Sequence, residues 1–162
     1  MKRRALLSLA LATALAGCGF EPMHAHRGGA AGGLPAIRIE PIADRSGQIL
    51  RNYLLDRLSP QGVPARAEYM LRVRLQEPRQ TLTLRRDDVI SRLSYGAVAN
   101  FELRGPDGRR VVTGSTSYST DYEVTNSEFA TLMALQSARE RVLELVSDDI
   151  RNQIVAGLPE RR

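Results

Sequence analysis

The chain has 162 residues, 43% hydrophobic and 25% charged, with a formal net charge of +5. That is enough for one globular domain, too little for two comfortable ones, and too apolar for a disordered chain. No apolar run reaches the roughly 18–20 residues of a spanning helix, which excludes a polytopic helical membrane protein. A lone cysteine excludes an internal disulfide or a multi-cysteine zinc site. With no Trp and 5% aromatics, platforms for stacking bases or sugars are scarce.

The basic excess carries little functional weight. Lys2, Arg3 and Arg4 sit at the extreme N-terminus, and without them 20 basic residues face 18 acidic ones. Of the 23 basic residues 22 are arginine, a ratio that reads as coding bias. No nucleic-acid partner is expected.

Residues 1–17 read as a targeting segment. Met1 to Arg4 are basic, and Ala5 to Ala16 form an apolar stretch of twelve residues, too short to span as a stable helix. It ends in Leu15-Ala16-Gly17-Cys18, which resembles the lipobox of bacterial lipoproteins. In that resemblance Cys18 is the lipid-attachment site: it is acylated and becomes the new N-terminus, with small Gly17 fitting the peptidase. Several acyl chains anchor stably where one binds only marginally. Gly19 rather than Asp follows the cysteine, which by resemblance to the sorting rules of enteric bacteria favours the outer membrane over retention at the inner one.

Residues 18–34 form the acylated cysteine and a flexible tether, rich in Gly28, Gly29, Gly32 and Gly33. A tether of about sixteen residues reaches roughly 20–25 Å. His24 and His26 lie in it near Glu21, but two histidines on a floppy segment lack a second shell, so no metal and no cofactor is expected.

Residues 35–158 read as one α+β domain, followed by a polar tail at 159–162. Ala36 to Ile42 alternates as a short strand. Ser46 is a candidate N-cap for a helix over 47–58, whose Ile49, Leu50, Tyr53, Leu54 and Leu58 share a face, with Pro60 and Gly62 stopping it. Tyr69, Leu71, Val73 and Leu75 then alternate against Arg72, Arg74 and Gln76. After Pro78 the parity shifts to Leu82 and Leu84, which predicts a bulge or break near Glu77–Gln80. Arg85-Arg86-Asp87-Asp88 reads as a hairpin tip.

The return strand is expected from Val89 to Arg104, with Val89, Leu93, Tyr95, Ala97, Ala99, Phe101 and Leu103 inward. Pro106-Asp107-Gly108-Arg109 suggests a two-residue type I′ loop. That loop puts Thr113, Ser115, Ser117 and Ser119 on the outer face and Val112, Tyr118, Tyr122 and Val124 inside. Thr125-Asn126-Ser127-Glu128 fits a capping box with threonine as the cap. A long helix follows, with a stripe of Phe129, Leu132, Leu135, Ala138, Val142, Val146, Ile150 and Ile154, ended by Gly157-Leu158-Pro159. Its opposite face carries Arg139, Glu140, Arg141, Glu144, Asp148, Asp149 and Arg151, mostly solvated.

The expected architecture is a two-layer sandwich: a mixed sheet of about four strands with two helices on one face, in the order strand, helix, three strands, helix. The uncovered face holds Arg72, Arg74, Arg85 and Arg92, with Arg104. Catalytic chemistry is nearly absent. Both histidines lie in the tether, no Gly-rich phosphate loop precedes a helix, and Asp87-Asp88 and Asp148-Asp149 are neighbours that point apart.

The chain resembles a known family. Leu15-Ala16-Gly17-Cys18-Gly19-Phe20-Glu21-Pro22 is similar to the N-terminus of the LPS-assembly lipoproteins (LptE-like, also called rare lipoprotein B), where Cys-Gly-Phe-x-Pro recurs. Tyr118 to Ala130 resembles that family's last strand and the start of its final helix. The likeness covers residues 18–158. It implies an outer-membrane lipoprotein, anchored through acylated Cys18 and facing the periplasm or lying within a barrel lumen. There it would act as plug and assembly partner of the LPS translocon barrel, helping to deliver lipopolysaccharide to the outer leaflet. It implies no reaction, and some such proteins bind LPS.

Arginine forks grip phosphate oxygens, so Arg72, Arg74, Arg85 and Arg92 are the candidate LPS contacts. Two other classes stay open. One is a lipid-anchored accessory subunit of another envelope transport complex. The other is a periplasmic enzyme, which would need a polar pocket with perturbed carboxylates.

Overall fold

The computed structural model describes residues 34–60, 62–78 and 92–159. The signal segment, the Cys18 tether, Leu82, Leu84, the Arg85–Asp88 tip and Val89 lie outside them. Six elements follow in the expected order: β1 (Ile37–Ile39), α1 (Asp44–Leu58), β2 (Tyr69–Gln76), β3 (Arg92–Arg104), β4 (Arg110–Glu123) and α2 (Glu128–Gly157). They make an α+β fold with a four-stranded mixed sheet in the order β1-β2-β3-β4. β1 runs parallel to β2, and the other pairs are antiparallel.

Alternation decides the faces. Ile37, Ile39, Leu71, Val73, Tyr95, Ala97, Ala99, Phe101 and Leu103 are buried beneath the helices. Leu50, Leu54 and Leu58 of α1, and Val142, Leu143, Val146, Ile150 and Ile154 of α2, close the core from above. The intervening strand residues stay on an uncovered face. A solid core of this kind contributes about 25 cal/mol for each Å² of apolar surface removed from water.

The register gives the sheet two ends. Ile37 pairs with Tyr69, Met70 with Arg104 and Arg104 with Arg110, so Leu34, the start of β2 and the β3–β4 hairpin share one end. Arg92 opposite Glu123 marks the far end, and α2 begins there. The thirteen residues of β3 separate the two ends by roughly 40 Å.

Four local expectations are corrected. Ser46 is not the cap of α1. The helix starts at Asp44, with Ala43 at the cap position and no side-chain cap bond, and Ser46 is buried inside the first turn. Asp44 takes φ 65°, a left-handed turn that Asp tolerates better than most residues. Ser127, not Thr125, caps α2: its hydroxyl accepts from the Ala130 amide at 3.3 Å. A cap serves the amide three residues on, and Ser127 directly precedes the helix. Thr125 instead donates to the Ser127 carbonyl at 3.1 Å, a local side-chain turn.

The β3–β4 connection is not a type I′ loop. The Gly108 amide bonds the Gly105 carbonyl at 3.0 Å, and the Gly105 amide bonds the Arg109 carbonyl at 2.9 Å. This is a three-residue loop, Pro106-Asp107-Gly108, in which only Gly108 has positive φ, at 75°. Proline holds φ near −65°, so a type I turn is formed instead. The register then shifts at Leu103/Arg104, leaving Val111 as a bulge. Extra loop residue and bulge cancel, so Leu103 still meets Val112 and the faces of β4 fall where the two-residue loop put them.

The fourth correction concerns the start of α2. Phe129 and Leu132 are 71% and 52% exposed, and Met133 is 43% exposed. The apolar stripe is real, but its first turns have nothing to cover them among the described residues. α1 has 15 residues against 30 in α2, and at 1.5 Å per residue it spans about half the length.

Candidate anion site on the open sheet face

On the uncovered face near the Leu34 end, a pocket of about 200 Å³ is lined by Arg72, Arg74, Asn100, Glu102, Arg110, Thr113 and the flank of Phe101. Strand pairing places these side chains. Arg72 stands opposite Glu102 and Arg74 opposite Asn100, both on β2–β3.

The four arginines at this site are not equivalent. Arg72 grips Glu40 through Nε at 2.7 Å and Nη2 at 3.1 Å, and reaches Glu102 through Nη1 at 3.4 Å. Those bonds to Glu40 hold the Arg72 guanidinium above its ordinary pKa. Arg104 also donates to Glu102, at 2.9 Å. Arg74 and Arg110 make no ion pair among the described residues. Among the described residues the site thus has two neutralised arginines as a frame and two free forks facing solvent. Free, planar guanidiniums with an amide and a hydroxyl beside them suit an oxyanion such as a phosphate.

The sequence singled out Arg72 and Arg74, and the structure brings them together. Arg92 sits on the same face but eight residues along β3 from Asn100, roughly 26 Å away, opposite Glu123. Arg85 lies outside the described residues. Arg110 went unnoticed for a definite reason. By simple alternation it shares the inward parity of Val112, and only the bulge at Val111 turns it outward. A Pro-Asp-Gly loop with Pro at its first position was the available signal.

Two further polar clusters lie on the helical side, and both are structural. Arg57 of α1 binds Asp148 of α2 through Nε, with a second bond from Nη2 at 3.2 Å, and contacts Glu144 at 3.3 Å. The bond from Arg57 holds Asp148 below the usual carboxylate range. Tyr95 is hydrogen-bonded to Glu77, and Arg139 lies over its ring at 5.5 Å. Burial and then Glu77 push the Tyr95 hydroxyl up to about 12. It therefore stays protonated at neutral pH and is no general base.

Among the described residues no His, Cys, Asp and Glu cluster is placed to hold a metal ion. No described helix is long and apolar enough to cross a membrane.

This is an α+β domain with a filled core beneath an open sheet face that carries charged groups. Residues 34–157 match the LptE family of lipopolysaccharide-assembly proteins, and the chain belongs to that family. Its role is accordingly that of an LPS-assembly lipoprotein. Among solved structures, a lipoprotein from Caulobacter crescentus is similar, with a TM-score of 0.61, 22% identity, and coverage of 75% of this chain and 89% of that one. A minor lipoprotein from Acinetobacter baumannii gives 0.58 at 18% identity, covering 74% and 91%. Rare lipoprotein B from Shewanella oneidensis gives 0.53 at 14%, covering 75% and 92%. At such identities the likeness speaks for the fold. Among curated proteins none matches significantly.

Proposed function

We propose that this chain is an outer-membrane lipoprotein that seats against the LPS translocon barrel as plug and assembly partner, and that its open sheet face receives lipid A phosphates. In this reading residues 1–17 are removed, Cys18 is acylated, and the segment to Leu34 tethers the domain of residues 35–158. The protein works by contact and catalyses no reaction.

The observation that carries the reading is the pair of guanidiniums, Arg74 and Arg110, without an ion pair among the described residues, flanking one pocket in a member of the LPS-assembly family. Arg72 frames the pocket. Arg92 is proposed as a second contact at the far end of the same face, and Arg85 keeps the contact role its sequence position suggests. The tether supports the placement, because Leu34 and the pocket share one end of the sheet.

The test is binding of purified LPS to the folded chain. Arg74→Glu with Arg110→Glu should weaken binding by about tenfold or more, since charge-assisted forks to phosphate are the strong class of hydrogen bond. Arg92→Glu should weaken it less. Equal binding by a folded double variant would overturn the pocket. Co-purification from outer membranes tests the barrel: recovery of a different envelope transporter would favour an accessory subunit of that machine instead.

A further inference from the structure

The sheet has two edges that differ greatly. β1 is a three-residue edge, whereas β4 is a fourteen-residue edge with no strand beyond it among the described residues. Long edges are usually blunted by charge or proline, because their free N–H and C=O groups template another strand. From Val111 to Thr120 β4 has neither a charged residue nor a proline. Among the described residues one side-chain bond reaches it, from Gln153 Nε2 to the Ser115 carbonyl at 3.4 Å.

We propose that β4 is a strand-addition edge and that its occupant is a second copy of this chain, paired antiparallel β4 to β4. This rests on the edge alone and is independent of the LPS reading. The charge pattern of the strand selects the partner. β4 opens with Arg110 and closes with Asp121 and Glu123, and an antiparallel copy sets each end against its opposite.

Faces limit the register to alternate positions, and the register assigned is the one that sets Arg110 against Glu123. Directly opposed residues must share a face, and Thr113, Ser115, Ser117, Ser119 and Asp121 all lie on the open one. Centring the two-fold axis on Ser117 pairs Ser115 with Ser119 and Thr113 with Asp121. The bulge sets Arg110 and Val111 together against one residue, Glu123 of the other copy. The hydroxyl row then meets itself without like-charge conflict, as favourable cross-strand pairs do. The interface is isologous, so each Arg–Glu contact occurs twice. Each backbone group on the edge gains a partner, and the Gln153 bond to Ser115 is exchanged for a ladder bond.

The experiment measures association of the full chain in detergent micelles by sedimentation equilibrium, with folding checked by thermal melting. The wild-type chain should dimerise. Arg110→Glu and Glu123→Arg should each weaken the dimer about tenfold, two charge contacts being reversed at once. An equimolar mixture of the two variants should regain wild-type association, because only the mixed dimer opposes unlike charges at both ends.

Glu123 stands opposite Arg92, so the charge-swap mixture makes the separation: mixing the two variants restores the dimer but cannot restore LPS binding that either chain has lost. Ser117→Cys should cross-link to dimer well above a Ser137→Cys control on the exposed face of α2; Cys18 is common to both. A wild-type chain that stays monomeric, a mixture no better than either variant alone, or equal cross-linking at positions 117 and 137 would each overturn the pairing.

Discussion

The two ends of the molecule are built from the same kinds of residue and behave differently. At the Leu34 end, both helices lie over the sheet and the apolar side chains that face it, Ile150 and Ile154 among them, are buried to completion. At the far end, Phe129, Leu132 and Met133 continue the stripe of α2 into solvent. Leu132 and Met133 border a cleft of about 960 Å³ that α1 shares through Gln48 and Ile49. Burial, and with it stability, depends on what stands opposite a side chain and not on its hydrophobicity alone. The near end should therefore carry the folding energy, and the far end should tolerate change.

Deletion in the near core is the most severe way to test this contrast. Ile150→Ala removes a fully buried side chain and should cost about 2–5 kcal/mol in denaturant unfolding.

Gly114→Ala probes the fit between α2 and β4. A Cβ there would come within 2.6 Å of the Phe101 ring and collide with the Gln153 side chain. Overpacking of that kind should cost about 1–3 kcal/mol in the same measurement.

The interhelical ion pair is weaker and depends on pH. Arg57 holds the folded-state pKa of Asp148 below its unfolded value, which is about 3.9. Its contribution is therefore complete above that unfolded value and disappears as pH falls through the lowered, folded one. Asp148 is half exposed, so solvent screening keeps the effect below about 1 kcal/mol. Compared with Asp148→Asn, the wild type should lose its advantage in thermal melts as pH falls from about 5 through the lowered folded-state pKa.

Smallest of all, Phe129→Ser should shift unfolding by no more than about 0.5 kcal/mol, since the ring is exposed. A loss comparable to that of Ile150→Ala would show that the far end is packed after all and erase the distinction between the ends.

Alternation in β2, β3 and β4 was enough to assign the faces, the order of elements and the mixed four-stranded sheet. A period of two leaves each strand side chain only two places to go, and one of them must be dry. The lipobox and the Tyr118–Ala130 segment likewise pointed to the family before any coordinates. Sequence alone could not reveal which arginines are free. Arg72 is neutralised by Glu40, thirty-two positions away, and Arg110 faces outward only because a bulge reverses its parity. Nor could it show that α1 ends its cover before the first turns of α2. Periodicity is local and reports the direction of a side chain. Pairing, screening and coverage are relations between distant segments, and those were decided when the sheet and helices came together.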